Sequence, residues 1–225
     1  MRKILNLRNV AKMTVACLAV AVMFISCGKD DTPSGGGTLG GSQSAIGQVG
    51  NTFSLARPIV GSGVSNFSAQ VKTLADGVST ISASIKITNP AYVSVLSALP
   101  NVTIEGDVAK KDIKCRITTE GIQTVYPEGN LTLVKYKAKK GDVYTLKRGA
   151  NTISRKVTDV STTDDYYWGG AYEYIKVIRV EEKRTDPGID HVEYITNHKF
   201  GLVGVRVYFE DGTSVFGSLS SSAQN

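Results

Sequence analysis

The chain has 225 residues, a size that suits one domain or two small ones, and its hydrophobic fraction of 41% excludes wholesale disorder. The formal net charge is +6, but four basic residues lie in the first twelve positions, where there is no acidic residue. The rest of the chain carries a net charge of only +2. Because a nucleic-acid-binding surface is strongly basic, we expect no nucleic-acid partner.

Residues 1–26 have the sequence pattern of a secretory signal peptide. The basic residues precede an uncharged apolar run, 13–25, which at ~1.5 Å per residue is too short to cross the ~30 Å hydrocarbon core of a membrane. The run leads into Phe24-Ile25-Ser26-Cys27, which resembles a bacterial lipobox, although lipoboxes prefer an aliphatic residue where Phe24 stands. The resemblance implies cleavage before Cys27 and acylation of Cys27. The alternative is an ordinary signal peptide followed by a chance cysteine.

The residues after Cys27 narrow the expected location. Gly28-Lys29-Asp30-Asp31 resembles the start of lipoproteins of the Bacteroidota, in which a Lys and two acids after the lipidated Cys resemble a signal for surface export. The resemblance implies a protein anchored in the outer membrane by its N-terminal lipid and facing the cell surface, with the periplasmic face as the alternative. It implies nothing about activity.

The chain after the signal divides into a tether and a body. Eight of the 23 residues in 28–50 are Gly and few are apolar, so 27–50 is predicted to be a lipidated Cys followed by a flexible tether. Residues 51–225 are predicted to form a β-rich globular region, with a possible sub-boundary near 119–122. Within it Cys115 alternates with apolar neighbours, which predicts a core thiol rather than a nucleophile.

Alternation of apolar and polar residues predicts a mainly β protein, either an antiparallel sandwich or a strongly curved meander. Two alternating runs, 67–73 and 81–87, flank Asp76-Gly77, which is the strongest short-range signal of a β-hairpin. One short helix is predicted at about 90–98, where Pro90 suits the first helical position and apolar residues follow with helical spacing. Closely spaced turn residues after this point favour antiparallel connections.

The segment 166–174 is the strongest candidate for a binding site, because five of its nine residues are aromatic. Flat rings with carboxylates nearby suit the C–H faces and hydroxyls of a glycan. The alternative is packing in the core or across a strand pair. Since side chains alternate along a strand, the three consecutive rings at 166–168 cannot all face one side, and at least one is expected on the surface. The predicted contacts are Tyr166, Tyr167, Trp168, Tyr172 and Tyr174.

The other chemistry-bearing residues form no recognisable active site. The sequence contains no H-E-x-x-H, G-x-S-x-G or Walker motif. His191 and Glu193 share one face of a predicted strand but lack the further ligands that a zinc site needs, and an acid–His pair on the surface is the simpler interpretation. We therefore expect no catalytic residue, no cofactor and no metal.

The preferred hypothesis is a lipid-anchored protein of the outer membrane that binds a glycan or an envelope protein. One alternative is a fimbrial-type adhesin subunit, since Bacteroidota fimbrial subunits resemble this chain in having a lipoprotein signal and a β-sandwich body. Another is an envelope hydrolase, which would need a pocket with converging carboxylates or a His–acid pair.

Overall fold

The computed structural model describes residues 37–57, 63–90, 93, 96–97, 101–149, 151–183 and 189–225. This part of the chain is mainly β, as predicted, and contains fifteen strands and the 3-10 turn Ala45–Gly47. The strands are β1 (Thr52–Leu55), β2 (Val64–Ala75), β3 (Val78–Ile87), β4 (Thr103–Glu105), β5 (Val108–Thr118), β6 (Gly121–Tyr126), β7 (Gly129–Lys135), β8 (Val143–Arg148), β9 (Asn151–Val160), β10 (Tyr166–Trp168), β11 (Glu173–Ile175), β12 (Ile178–Lys183), β13 (Ile189–Asn197), β14 (Gly201–Phe209) and β15 (Ser214–Ser221). No helix in the described ranges has the length and hydropathy needed to cross a membrane.

Thirteen strands form one antiparallel sheet that is built from two meanders. The first meander runs β1-β2-β3-β5-β6-β7, with β4 paired beside β5, and the second runs β8-β9-β12-β13-β14-β15. Pairing of β1 with β15 joins the meanders and places Phe53 opposite Ser221. The two ends of the path, β7 and β8, come into contact, so the sheet curls into a nearly closed shape.

Inward-facing side chains of both meanders form one large hydrophobic core. On β14, alternate residues from Val203 to Phe209 are buried, as the pattern of apolar residues predicts. The same core contains Ile81 from the first meander and Val205 from the second. Residues 119–122, the possible sub-boundary, lie at the tight turn that joins β5 to β6 within this sheet. The two meanders therefore share their hydrophobic interior.

The hairpin predicted at Asp76-Gly77 is confirmed. Strands β2 and β3 pair up to Ala75 opposite Val78, and the two turn residues have φ values of 51° and 71°. Positive φ at both central residues is what this turn type requires. Most of the helix predicted at about 90–98 lies outside the described residues. Within that segment, residues 93, 96 and 97 have helical backbone, and Leu96 is buried.

Residues 37–50 pack against the sheet, so the flexible tether predicted over 27–50 does not extend through them. The backbone N–H of Leu39 donates to Oε1 of the buried Gln123 at 3.1 Å, and Gln43 forms a β-bridge with Thr118. Ile46, in the 3-10 turn, joins the main core. The buried side chains of Leu39 and Ile46, together with these polar contacts, offset the conformational entropy that the glycines lose when this segment becomes ordered. Residues 27–36, including Cys27, lie outside the described residues, as does the signal peptide.

Candidate functional site

The predicted aromatic segment forms a separate two-stranded hairpin, β10–β11, inserted between β9 and β12. Tyr166 lies opposite Ile175 and Tyr167 opposite Tyr174. The third pair, Trp168 and Glu173, lies next to the turn. Because side chains alternate across a strand, Tyr167 and Tyr174 share one face, while the residues on either side of Tyr167 point to the other. The hairpin therefore separates the predicted contacts into two groups.

Trp168 fixes the hairpin to the main sheet. Its side chain is only 3% exposed, and its ring centroid lies 4.4 Å from that of Phe200. The indole Nε1 donates a hydrogen bond to the carbonyl oxygen of Leu219 on β15 at 2.9 Å. A buried indole whose N–H has a partner is a packed side chain. The prediction that Trp168 contacts a ligand is therefore corrected, because its ring is enclosed by its own sheet.

Three tyrosines of the hairpin are exposed, and together they form what we call the tyrosine face: Tyr167, Tyr172 and Tyr174. Their exposed fractions are 47%, 75% and 61%. Only five large hydrophobic side chains are exposed in the described part of the chain, and these are three of them. The rings of Tyr167 and Tyr174 meet edge to face, with centroids 5.4 Å apart. The exposed carboxylate of Asp165 lies two residues before Tyr167, whereas Glu173 pairs with Trp168 and points to the other face of the hairpin.

Tyr166, the remaining predicted contact, is half-buried. The Arg179 guanidinium lies 5.3 Å from the centroid of its ring, and Nη1 of Arg179 also lies 3.2 Å from Oε2 of Glu193. Burial raises the pKa of the Tyr166 hydroxyl, and the nearby arginine opposes part of that rise. The ring is therefore partly covered by a charged pair, and it lies on the opposite side of the hairpin from Tyr167.

The turn of the hairpin presents Tyr172 in an uncommon conformation. Its φ is 56°, a left-handed value that costs a non-glycine residue roughly 1–2 kcal/mol. A Cβ at Gly170 would lie 2.2 Å from the Trp168 ring, so the turn folds directly over the indole. The close packing of Gly170 on the Trp168 ring therefore determines the path of the turn that carries Tyr172.

A second candidate site, absent from the sequence-based predictions, is a cavity of about 650 Å³ inside the nearly closed sheet. Its mostly apolar lining comes from both meanders and includes Ile81, Leu133 and Leu219. The lining also includes Ala69 and Ala83, which lie directly opposite each other on β2 and β3 and fill little of the interior. The volume falls within the roughly 300–1,000 Å³ typical of small-molecule sites. Alternation along a strand identifies an inward face but does not distinguish a packed core from a lined cavity.

Three charged side chains that line the cavity are buried: Lys111, Arg155 and Glu182. Nε of Arg155 lies 2.6 Å from Oε2 of Glu182, and Nη1 donates to Thr124 Oγ1 and to the Leu131 carbonyl oxygen, both at 3.3 Å. Burial opposes the guanidinium charge, but the adjacent carboxylate of Glu182 helps to outweigh it, so the pKa of Arg155 is raised. Arg155 lies on the second meander and two of its partners on the first, so it links the meanders across the interior.

The other residues singled out from the sequence do not assemble into a reactive centre. Cys115 is buried, and burial raises the pKa of its thiol to about 12, which confirms a core thiol that is un-ionised at neutral pH. Nδ1 of His191 lies 2.7 Å from Oδ2 of Asp190, and its ring stacks on Tyr208 with centroids 4.2 Å apart. Within the described ranges, no group of three or more His, Cys, Asp or Glu side chains could hold a metal ion.

No protein-family model matches the chain, and no curated protein matches it by sequence. One solved structure that is similar to it is described as the "crystal structure of a putative lipoprotein from Parabacteroides distasonis ATCC 8503". The two chains are 14% identical, and the alignment covers 82% of this chain and 97% of the other. The TM-score of 0.37 is too low to establish a shared fold, so nothing is transferred from that protein.

Proposed function

We propose that this chain is a lipid-anchored protein of the outer membrane, facing the cell surface, that works by binding and contacts a glycan through its tyrosine face. The observation that carries the proposal is the exposure of Tyr167, Tyr172 and Tyr174 on a hairpin whose other side is anchored by Trp168. Grouped exposed rings are characteristic of interaction surfaces. Tyrosine combines a large apolar face with a hydroxyl and has few rotatable bonds to order on binding.

The chemistry of the tyrosine face favours a glycan over a protein partner. The edge-to-face pair of Tyr167 and Tyr174 presents flat apolar rings together with two hydroxyls. The exposed carboxylate of Asp165, two residues before Tyr167, is an acceptor for sugar hydroxyls. The apolar centre of a protein interface is depleted in such acidic side chains. We propose no catalytic step for this surface.

Glycan binding is tested by affinity electrophoresis of the full chain in gels that contain soluble xylan, laminarin or mucin. We expect at least one of these to retard the chain. Replacing both Tyr167 and Tyr174 by Ser should raise the apparent dissociation constant about tenfold, which corresponds to a loss of about 1.4 kcal/mol of binding free energy. The matched control is Val143→Ser, which changes a side chain that is 52% exposed on β8.

The glycan assignment is contradicted if the double Tyr variant migrates like the wild-type chain in every gel. If no glycan retards the chain but an envelope protein cross-links to it, and the double variant loses that cross-link, then the tyrosine face binds a protein partner instead.

The anchoring part of the proposal is supported by the sequence of residues 24–31. It predicts that cells incorporate labelled palmitate into the chain and that Cys27→Ser abolishes this incorporation. Protease treatment of intact cells should release the body of the protein while a periplasmic control protein stays intact. If the protein is protected until the cells are lysed, it lies on the periplasmic face and the surface assignment is wrong.

A further inference from the structure

The cavity inside the nearly closed sheet reaches the surface of the protein. Its lining begins at exposed side chains, which we call the mouth of the cavity: Asn101, Asp112, Lys114 and Pro127. Asp112 and Lys114 lie on β5 between the residues that pair with β4, 108–110, and those that pair with β6, 115–118. A ligand can therefore enter from solvent beside the middle of β5.

Behind the mouth, the walls suit a hydrocarbon chain. Phe67, Ile81, Ile117 and Leu219 present apolar side chains from four strands. A water molecule in a protein interior needs about two to four polar partners, which these side chains do not provide. A flexible alkyl chain gains dispersion contacts with walls of this kind. Protein interiors contain few voids larger than a water molecule, so a cavity of about 650 Å³ is characteristic of a ligand site.

The buried charges of the lining interact with other groups of the protein. Nε of Arg155 lies 2.6 Å from Oε2 of Glu182, and Lys111 also has an interaction partner within the protein. Moving a charged head group from water into the interior is costly unless a counter-charge receives it. What the interior offers to a ligand is therefore apolar surface, and the part of the ligand that lies inside is expected to be uncharged.

Two facing alanines leave room for such a chain. Ala69 on β2 and Ala83 on β3 lie directly opposite each other and both line the cavity. Alanine is depleted in strands, where larger β-branched and aromatic side chains are preferred. A larger apolar residue at either position would therefore suit the strand and occupy part of the cavity. The small side chains keep this side of the interior open.

We propose that the cavity binds a lipid through one uncharged hydrocarbon chain. The chain enters at the mouth and lies against the apolar walls, while the head group of the lipid stays in solvent outside the sheet. The site therefore selects a long flexible alkyl chain and does not select the charge of the head group. It is separate from the tyrosine face, which lies on a different hairpin, so the two proposals stand or fall independently.

The experiment uses the full chain in membranes isolated from the cells that produce it. Two photoreactive probes are added in parallel, hexadecanol and palmitate, each with a diazirine in its tail. After irradiation, the labelled peptides are identified by mass spectrometry. We expect both probes to give adducts on inward residues such as Ile117, Leu133 and Leu219. The uncharged alcohol should label them as strongly as palmitate, because the head group lies outside.

A pair of variants connects this labelling to the cavity. Ala83→Phe places a ring in the interior, and we expect it to reduce labelling of the inward residues roughly tenfold, because the chain and the ring compete for the same space. The matched control is Ser84→Phe, which adds the same ring on the outer face of β3 and should be labelled like the wild-type chain. If Ala83→Phe does not fold, Ala69→Leu replaces it, with Ser68→Leu as its control.

Three results would overturn the proposal. The first is the absence of adducts on inward residues with both probes, or adducts on outward residues alone. The second is equal labelling of the inward residues in the wild-type chain and in the folded Ala83→Phe or Ala69→Leu variant. The third is labelling of the inward residues by palmitate but not by hexadecanol, which would mean that the site requires a charged head group.

Discussion

Trp168 and Tyr167 are adjacent residues with opposite environments, and they should respond differently to truncation. Trp168→Ala removes a buried ring and its bond to Leu219, so we expect the free energy of unfolding to fall by about 3–5 kcal/mol. Tyr167→Ala removes a ring that is about half exposed and should change it by less than about 1 kcal/mol. Urea unfolding followed by circular dichroism measures both. Similar losses in the two variants would mean that Tyr167 is also a packing residue.

The Arg155–Glu182 pair offers a second contrast at the residue scale. Glu182→Gln leaves the guanidinium buried without its counter-charge, so we expect a loss of about 3–5 kcal/mol in the free energy of unfolding. The matched control is Asp107→Asn, which breaks the exposed pair with Lys86 and should cost less than about 1 kcal/mol. Both are measured by urea unfolding at neutral pH. A loss below 1 kcal/mol in Glu182→Gln would show that Arg155 does not depend on this carboxylate.

At the scale of the element, the turn of the β10–β11 hairpin contains two adjacent glycines in different surroundings. A Cβ at Gly170 would lie 2.2 Å from the Trp168 ring, whereas at Gly169 the nearest atom is Nε of Arg57 at 3.6 Å. We expect Gly170→Ala to displace the indole and shift the fluorescence of the chain's only tryptophan to longer wavelength. Gly169→Ala should leave the spectrum unchanged. A spectrum that is unchanged in both variants would mean that the turn does not press on the indole.

Elements that depend on local pattern were predictable, and elements that depend on distant contacts were not. The Asp76-Gly77 hairpin follows from turn chemistry within a few residues, and alternation correctly predicts the buried face of β14. The burial of Trp168 depends instead on Leu219, 51 residues further along the chain. In 37–50, the high overall glycine content predicted a flexible segment, although the apolar side chains of Leu39 and Ile46 are buried. Composition averages over a segment, whereas packing is decided by individual side chains.

At the scale of the whole molecule, contacts between segments near the two ends of the described chain join the two meanders. Oδ1 of Asn51 accepts hydrogen bonds from Ser222 Oγ at 2.8 Å and from the backbone N–H of Ala223 at 2.9 Å, and its Nδ2 donates to the Ile46 carbonyl oxygen at 2.6 Å. These bonds lie beside the β1–β15 pairing that joins the meanders. The cavity exists only because the two meanders are closed on each other. The cavity could therefore not be predicted from any single segment.

The closed interior also makes the fold sensitive to alkali. Burial raises the pKa of Cys115 from 9.0 to about 12, and burial also raises the pKa of Tyr136 above its ordinary value. Because the unfolded chain loses these protons first, the stability that they contribute is complete below about pH 9 and is lost as the pH rises towards 12. Each such group lowers the free energy of unfolding by up to about 1.4 kcal/mol per pH unit.

The contribution of the Cys115 thiol to this pH dependence can be measured separately. In the unfolded chain Cys115 ionises about one pH unit below the tyrosines. We expect Cys115→Val to flatten the decline in the free energy of unfolding between pH 9 and 10, and to leave the steeper fall above pH 10. The measurement is urea unfolding at a series of pH values, followed by circular dichroism. Tyr174→Phe, which changes an exposed hydroxyl, should reproduce the wild-type profile. If Cys115→Val declines as steeply as the wild type between pH 9 and 10, solvent reaches the thiol and the interior is more open than the structure shows.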